Sequence, residues 1–196
     1  MEQYVADVDV ELVEALRRGD TDSISRLVER YGSRAYGLAV RITGATQDAE
    51  DALKEGLQMA IGAIDTFAGG SAFDSWIVRH VATRAYEKRR RRGSETREVT
   101  PAEVMPLLDG DGRFKPMEDW SNRIDGAVDG VLTKVIDTLP AEHRTALVLH
   151  DVEHVSKPEV AAILGIDVPG VRQCVHLARL FVRKRLTEHF QSAAAT

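Results

Sequence analysis

Cysteine is nearly absent. Cys174 stands alone among 196 residues, which excludes an intramolecular disulfide and a cysteine-built metal cage. Long hydrophobic runs are missing too. No stretch offers the roughly 18 consecutive apolar residues that a membrane span needs, so no direct membrane insertion is expected. The basic start of a secretory leader is lacking, because Glu2, Asp7 and Asp9 make this end acidic. The expected location is the reducing cytoplasm. An overall positive charge is absent as well: 26 Lys and Arg face 31 Asp and Glu, a net of −5, and an acidic chain is not an obvious nucleic-acid binder. There is no Ser/His/Asp order, phosphate-cradling glycine loop or pair of catalytic carboxylates. No enzyme, cofactor or small-molecule substrate is expected.

What is present suits a folded protein. The chain is 43% apolar and 29% charged, and its length fits one large domain or two small ones. Its charge is uneven. Residues 1–98 carry 15 basic and 17 acidic groups, 99–130 carry 3 and 7, and 131–196 carry 8 and 7. Arg79 to Arg92 nevertheless holds seven Lys/Arg against one Glu, and Arg172 to Arg185 holds five against none. Two basic stretches on an acidic chain point to focused sites rather than general stickiness.

No strand pattern is evident, and the expected fold is all-α. Ile24, Leu27, Val28, Tyr31, Ala35, Leu38, Ala39 and Ile42 recur at helical steps, with Asp20 or Asp22 to cap the start and Gly44 to stop the run. Ala49, Ala52, Leu53, Leu57, Ala60, Ile61 and Ile64 form a second stripe. Gly69-Gly70-Ser71 breaks it, and a further helix is expected over Phe73 to Arg92. Periodicity then lapses through Pro101, Pro106, Gly110–Gly112 and Pro116. It returns near Ile124, breaks at Leu139-Pro140, and resumes over Ala141–His150, from Ser156 to Leu164, and from Val168 to about Phe190. The expected organisation is a helical bundle over 1–95, an acidic linker over 96–125 and a second helical domain over 126–196.

Ser156 to Phe181 has the pattern of a helix-turn-helix. Gly165 permits the tight turn and Ile166 plugs the angle between the two helices. In the second helix Val171, Cys174, Val175, Ala178, Phe181 and Val182 form a core stripe. Arg172, His176, Arg179 and Arg183 fall on one outer face, with Gln173 beside them. Such a face donates to base edges and neutralises phosphates in a major groove. An ordinary helical hairpin with a solvated basic face is the plainer alternative.

In the stretch FDSWIVRHVATRAYEKRRRR, Val78, Val81, Ala82 and Ala85 make a buried side. Arg79, Thr83, Tyr86 and Arg90 fall on the other side, with Trp76 one turn earlier. Aromatic rings interleaved with cations suit single-stranded nucleic acid, whose bases stack while guanidinium groups follow phosphates. The alternative is that Trp76 belongs to the core and Arg89–Arg92 form a solvated, dipole-favoured helix end.

In order and spacing, GDTDSISRLVERYGSRAYGLAVRITGATQDAEDALKEGL, FDSWIVRHVATRAYEKRRRR and LPAEHRTALVLHDVEHVSKPEVAAILGIDVPGVRQCVHLAR resemble the extracytoplasmic-function (ECF) sigma factors. These are small bacterial initiation subunits that carry only the second and fourth sigma regions. The resemblance covers about Asp9–Arg92 and Val131–Phe190. It implies partners: core RNA polymerase, through the β′ clamp helices and the β subunit; promoter DNA; and an anti-sigma factor. Asp48, Glu50, Asp51 and Glu55 would dock on the clamp helices. Phe67, Phe73 and Trp76, followed by Arg79, Thr83, Tyr86 and Arg90, would open the −10 element and hold an extruded base. Arg172, Gln173, His176 and Arg179 would read the −35 element. The acidic linker would lie in the polymerase cleft and set the separation of the two DNA-binding modules.

The chain departs from the family's usual residues at Met59, Ile61, Ala82-Thr83, Cys174 and Leu177, and at Asp167-Val168-Pro169-Gly170 where the reading helix starts. These departures imply an altered promoter preference. Two further functions stay open on the residues: a stand-alone helix-turn-helix regulator, and a sigma-like decoy that binds polymerase without initiating. His150 and His154 have metal-ligand spacing, but no third ligand is apparent and the helix is expected to end before His154; no metal site is expected. Asp109-Gly-Asp-Gly reads as a turn rather than a calcium loop. Cys174 reads as packing, with its oxidation a route to switching DNA binding.

Overall fold

A computed structural model describes residues 2–69, 73–93 and 127–194, with the backbone alone for 2–8, 127–129, 193 and 194. The expected linker, with its Gly110–Gly112 turn and the Asp109 loop, lies outside the described residues. Among the described residues the regular structure is helical, without strands. The chain divides into two compact units, Met1–Arg92 and Gly93–Thr196.

The first unit comprises α1 (Glu2–Arg17), α2 (Thr21–Thr43), α3 (Thr46–Gly62), a 3-10 turn (Ile64–Thr66) and α4 (Phe73–Arg92). Local chemistry sets the boundaries. Asp20 caps α2 by accepting the Asp22 N–H at 3.1 Å, which satisfies one donor that a helix start leaves unpaired. Gly44 ends α2 in the left-handed region (φ 68°), where its N–H reaches the Val40 carbonyl at 2.8 Å. The inner stripe of α2, from Leu27 through Tyr31, Ala35, Leu38, Ala39 and Ile42, is buried. Ile24 and Val28, expected in that stripe, are instead exposed. The face that α1 covers, through Leu12, Val13 and Leu16, centres on Leu27 and Tyr31 and leaves those two at its rim.

Helix α4 packs against both α2 and α3. Gly56 of α3 and Val81 of α4 sit at the closest approach, where a side chain on Gly56 would have no room. Rings extend the same core: Phe73 stands edge-on to Tyr31 and to Phe67, and stacks on Trp76, with ring centres 5.2–5.8 Å apart. Asp9 accepts the Tyr31 hydroxyl. Burial, with the Asp9 carboxylate second, holds the Tyr31 phenol well above its ordinary pKa.

The second unit comprises α5 (Ala127–Asp137), α6 (Ala141–Leu147), which continues into a π-helical turn (Val148–Val152), α7 (Lys157–Leu164) and α8 (Val168–Ala194). Pro140 precedes α6 as its cap residue, as the Leu139-Pro140 break predicts. Arg144, nearly fully buried, is neutralised by Asp137. The Ser156 N–H and hydroxyl both donate to Glu159 Oε2, at 3.3 and 2.6 Å, and close the start of α7. Gly165 ends it at φ 70°. The axes of α7 and α8 then turn by 95°, within the range of a helix-turn-helix. Asp167 has a local role: its carboxylate accepts the Gly170 N–H at 2.8 Å and caps α8.

Candidate nucleic-acid interface

On α8 the two faces separate as the spacing predicts. Val171, Cys174, Val175, Ala178 and Phe181 are buried, while Arg172, Gln173, His176 and Arg179 are exposed and Arg183 is half-buried. Leu177 is also buried, joining Leu139, Leu147 and Phe181 in the core of this unit. Burial, with a smaller contribution from Glu142, pushes the Cys174 thiol up to about 11, so the residue packs as a small neutral hydrophobe. Arg179 is held by Asp151, Nε to Oδ2 at 2.7 Å and Nη2 to Oδ1 at 2.6 Å. That bond raises the guanidinium pKa further. The helix bearing His150 ends at Val152, and His154 adopts φ 56°, so these two histidines do not share a helical face.

The aromatic part of the α4 expectation is corrected. Phe73, Trp76 and Tyr86 are buried, and Phe67 is half-buried against the same cluster. Trp76 and Tyr86 therefore do not stand on a solvent face ready to stack on bases. Two neighbouring helices and the aromatic cluster enclose α4 on more than one side, so its burial exceeds the single stripe of Val78, Val81, Ala82 and Ala85. Arg79 and Arg90 remain exposed, and Thr83 is half-buried with its hydroxyl donating to the Arg79 carbonyl at 2.8 Å. Ala82 has no exposed surface. His80 lies edge-on to Trp76 at 4.6 Å. Burial first, then Arg79 and Arg84, lowers its pKa.

Of the four carboxylates expected at a polymerase interface, three face the basic end of α4. Glu55 meets Lys88 at 2.8 Å, Asp51 meets the same ammonium at 3.7 Å, and Asp48 meets Arg92 at 3.1 Å. The Lys88 hydrogen bond lowers the Glu55 pKa, and Glu55 in turn raises that of Lys88. Glu50 is exposed.

Residues 27–95 match the family model of Sigma-70 region 2, and residues 130–182 that of Sigma-70, region 4. The chain is 31% identical over 182 residues to the RNA polymerase sigma-H factor of Pseudomonas aeruginosa, across 91% of this chain and 93% of that protein. It is an ECF sigma factor. It is also 25% identical to the ECF RNA polymerase sigma factor SigW of Bacillus subtilis, across 90% of this chain and 95% of that protein. In fold it resembles the sigma factor RpoE of Bartonella quintana, whose structure is a complex with the anti-sigma factor NepR. That likeness has a TM-score of 0.56 and 23% identity, covering 83% of this chain and 96% of that one.

Several contacts of this sigma factor have no local signature. Arg17 of α1 donates to the Phe67 carbonyl at 2.7 Å and ties α1 to the segment ahead of α4. Arg89 donates to the Thr43 carbonyl at 2.9 Å, at the end of α2. Among the family's departures, Met59 accepts from Arg84 and Ile61 is half-buried against the first core. No single helix among the described residues is long and apolar enough to cross a membrane.

Proposed function

We propose that this ECF sigma factor works in the cytoplasm as a promoter-specificity subunit without catalytic activity of its own. In this reading it joins core RNA polymerase through the β′ clamp helices and the β subunit, and its two DNA-binding modules engage one promoter together. Region 2 reaches the −10 element through the exposed edge of α4, with Arg79 and Arg90 as the cations. Phe73, Trp76 and Tyr86 support that edge from beneath. Region 4 presents Arg172, Gln173, His176 and Arg179 to the −35 major groove. The observation that carries this reading is the outer face of α8, where four donor-bearing side chains are displayed over a fully apolar inner face.

The acidic side chains of α3 supply the polymerase contact, led by Glu50. Asp48, Asp51 and Glu55 reach the same partner by exchanging Arg92 and Lys88 for its cations; the Asp48–Arg92 exchange is small, because surface ion pairs contribute at most about 1 kcal/mol. The family relationship supports an anti-sigma factor as a further partner, as in the RpoE–NepR complex.

Transcription from a promoter library with core polymerase tests the whole. Run-off products sharing two spaced sequence elements are the expected result. Duplex binding without polymerase would point to a stand-alone regulator, and polymerase binding without transcripts to a decoy.

A further inference from the structure

Arg179, one of the four α8 readers, is gripped by a carboxylate from a separate segment. Its partner Asp151 belongs to the π-helical turn, which is itself well anchored. Val148 and Leu149 are buried, the Glu153 N–H reaches the Val148 carbonyl at 3.0 Å, and the Val155 N–H reaches the Leu149 carbonyl at 2.9 Å. His150 Nδ1 meets the Val155 carbonyl at 3.1 Å. The carboxylate therefore projects from a fixed support.

A guanidinium carries five N–H bonds in a planar fork. Asp151 takes the side edge formed by Nε and Nη2. The opposite edge, formed by Nη1 and the outer proton of Nη2, is the one that matches the O6 and N7 acceptors of guanine end-on. Arg179 is 58% exposed despite the pair, so this edge is open to an incoming ligand. The adjacent carboxylate also cancels much of the local positive charge. Attraction to phosphate, which depends on charge and little on orientation, is thereby weakened relative to a directional base contact.

We infer that Asp151 is a positioning residue for −35 recognition, holding Arg179 end-on toward a base edge and away from the phosphate backbone. This rests on the reading of α8 as the −35 helix. Without Asp151 the arginine swings freely, gains phosphate contacts and loses its base.

The test uses holoenzyme assembled from core polymerase and the full chain, on promoters randomised across the upstream element. Asp151→Ala and Arg179→Ala are expected to lose preference at the same base pair, by about fivefold or more, the range of one good bidentate contact. The double variant should discriminate no worse than either single one. Asp151→Ala alone should bind random duplex more tightly, with a steeper salt dependence. Asp151→Asn keeps one acceptor and the local packing, and should fall between parent and Asp151→Ala. It also covers the case in which Asp151→Ala does not fold. A merely structural pair would lower thermal stability and weaken every upstream position together, which would overturn the inference. So would loss of upstream preference in Arg172→Ala while Asp151→Asn and Arg179→Ala leave each position unchanged; the −35 reading of α8 would then stand. If Arg172→Ala also changes nothing, that reading itself fails.

Discussion

Gly56 meets the backbone of Val81 so closely that a Cβ at residue 56 would lie 2.6 Å from the Val81 Cα and 2.8 Å from its Cγ2. The obstruction is main chain, which cannot rotate aside as a side chain would, so α3 and α4 would have to part. Gly56→Ala is expected to destabilise the first unit by about 1–3 kcal/mol through overpacking. Urea unfolding should show a lower midpoint at unchanged slope. A midpoint equal to the parent's would mean that the two helices separate freely at this crossing.

Trp76 and Arg79 occupy the same helix one turn apart, but only the second reaches solvent. Trp76→Ala should cost about 3–5 kcal/mol as a large-to-small core change. Polymerase binding and promoter opening should then fall together, while Trp76→Phe retains most of both. Arg79→Ala should leave the melting temperature within a degree or two, as surface substitutions do, yet slow promoter opening as followed by permanganate reactivity of unpaired thymines. Selective loss of opening in a fully folded Trp76→Ala protein would contradict the core assignment.

Arg172 is the first exposed basic side chain of α8. Arg172→Ala should weaken discrimination at one −35 position by about 1–3 kcal/mol if its contact is to a base edge. Polymerase affinity should be unchanged, because the substitution lies on the face away from the core. Competition among promoters substituted base by base measures both quantities. A uniform loss across all sequences, with a shallower salt slope, would make Arg172 a phosphate contact instead.

Cys174 provides a pH test. Its folded pKa of about 11 lies above the ordinary thiol value of 9.0. The folded state therefore keeps its proton over a range in which the unfolded chain ionises. Linkage then requires the Cys174 contribution to be fully present below pH 9 and to be lost as the pH climbs toward 11. Cys174→Ala should flatten that part of the stability profile. At pH 8 the thiol should react with a disulfide reagent only at the rate of unfolding. Rapid modification of the native protein would restore oxidation of this residue as a switch.

Much of the second unit was legible in the sequence because its cues are short-range. Ser156 and Glu159 cap within one turn, Gly165 supplies the left-handed backbone, and alternate faces of one helix separate readers from core. The unusual entry to α8, Asp167 to Gly170, turns out to be an N-cap whose whole geometry spans three residues. The first unit was harder. A helix enclosed by several neighbours buries more than one stripe, so periodicity placed Tyr86 on the outer side and left Trp76 between core and surface, where the packing of α4 buries both.

What the sequence determined by itself is the run of main helices, the stops at Gly44 and Gly165, the two-part organisation and the outer face of α8, since each depends on residues within a turn or two. Only the tertiary structure decided which aromatics are buried, why Ile24 and Val28 are left outside, and which charges meet. Glu55 and Lys88, Asp48 and Arg92, and Asp151 and Arg179 are 33, 44 and 28 residues apart. Spacing in one dimension carries no record of such pairs, because the helices that bear them are brought together by the burial of apolar faces elsewhere on each helix.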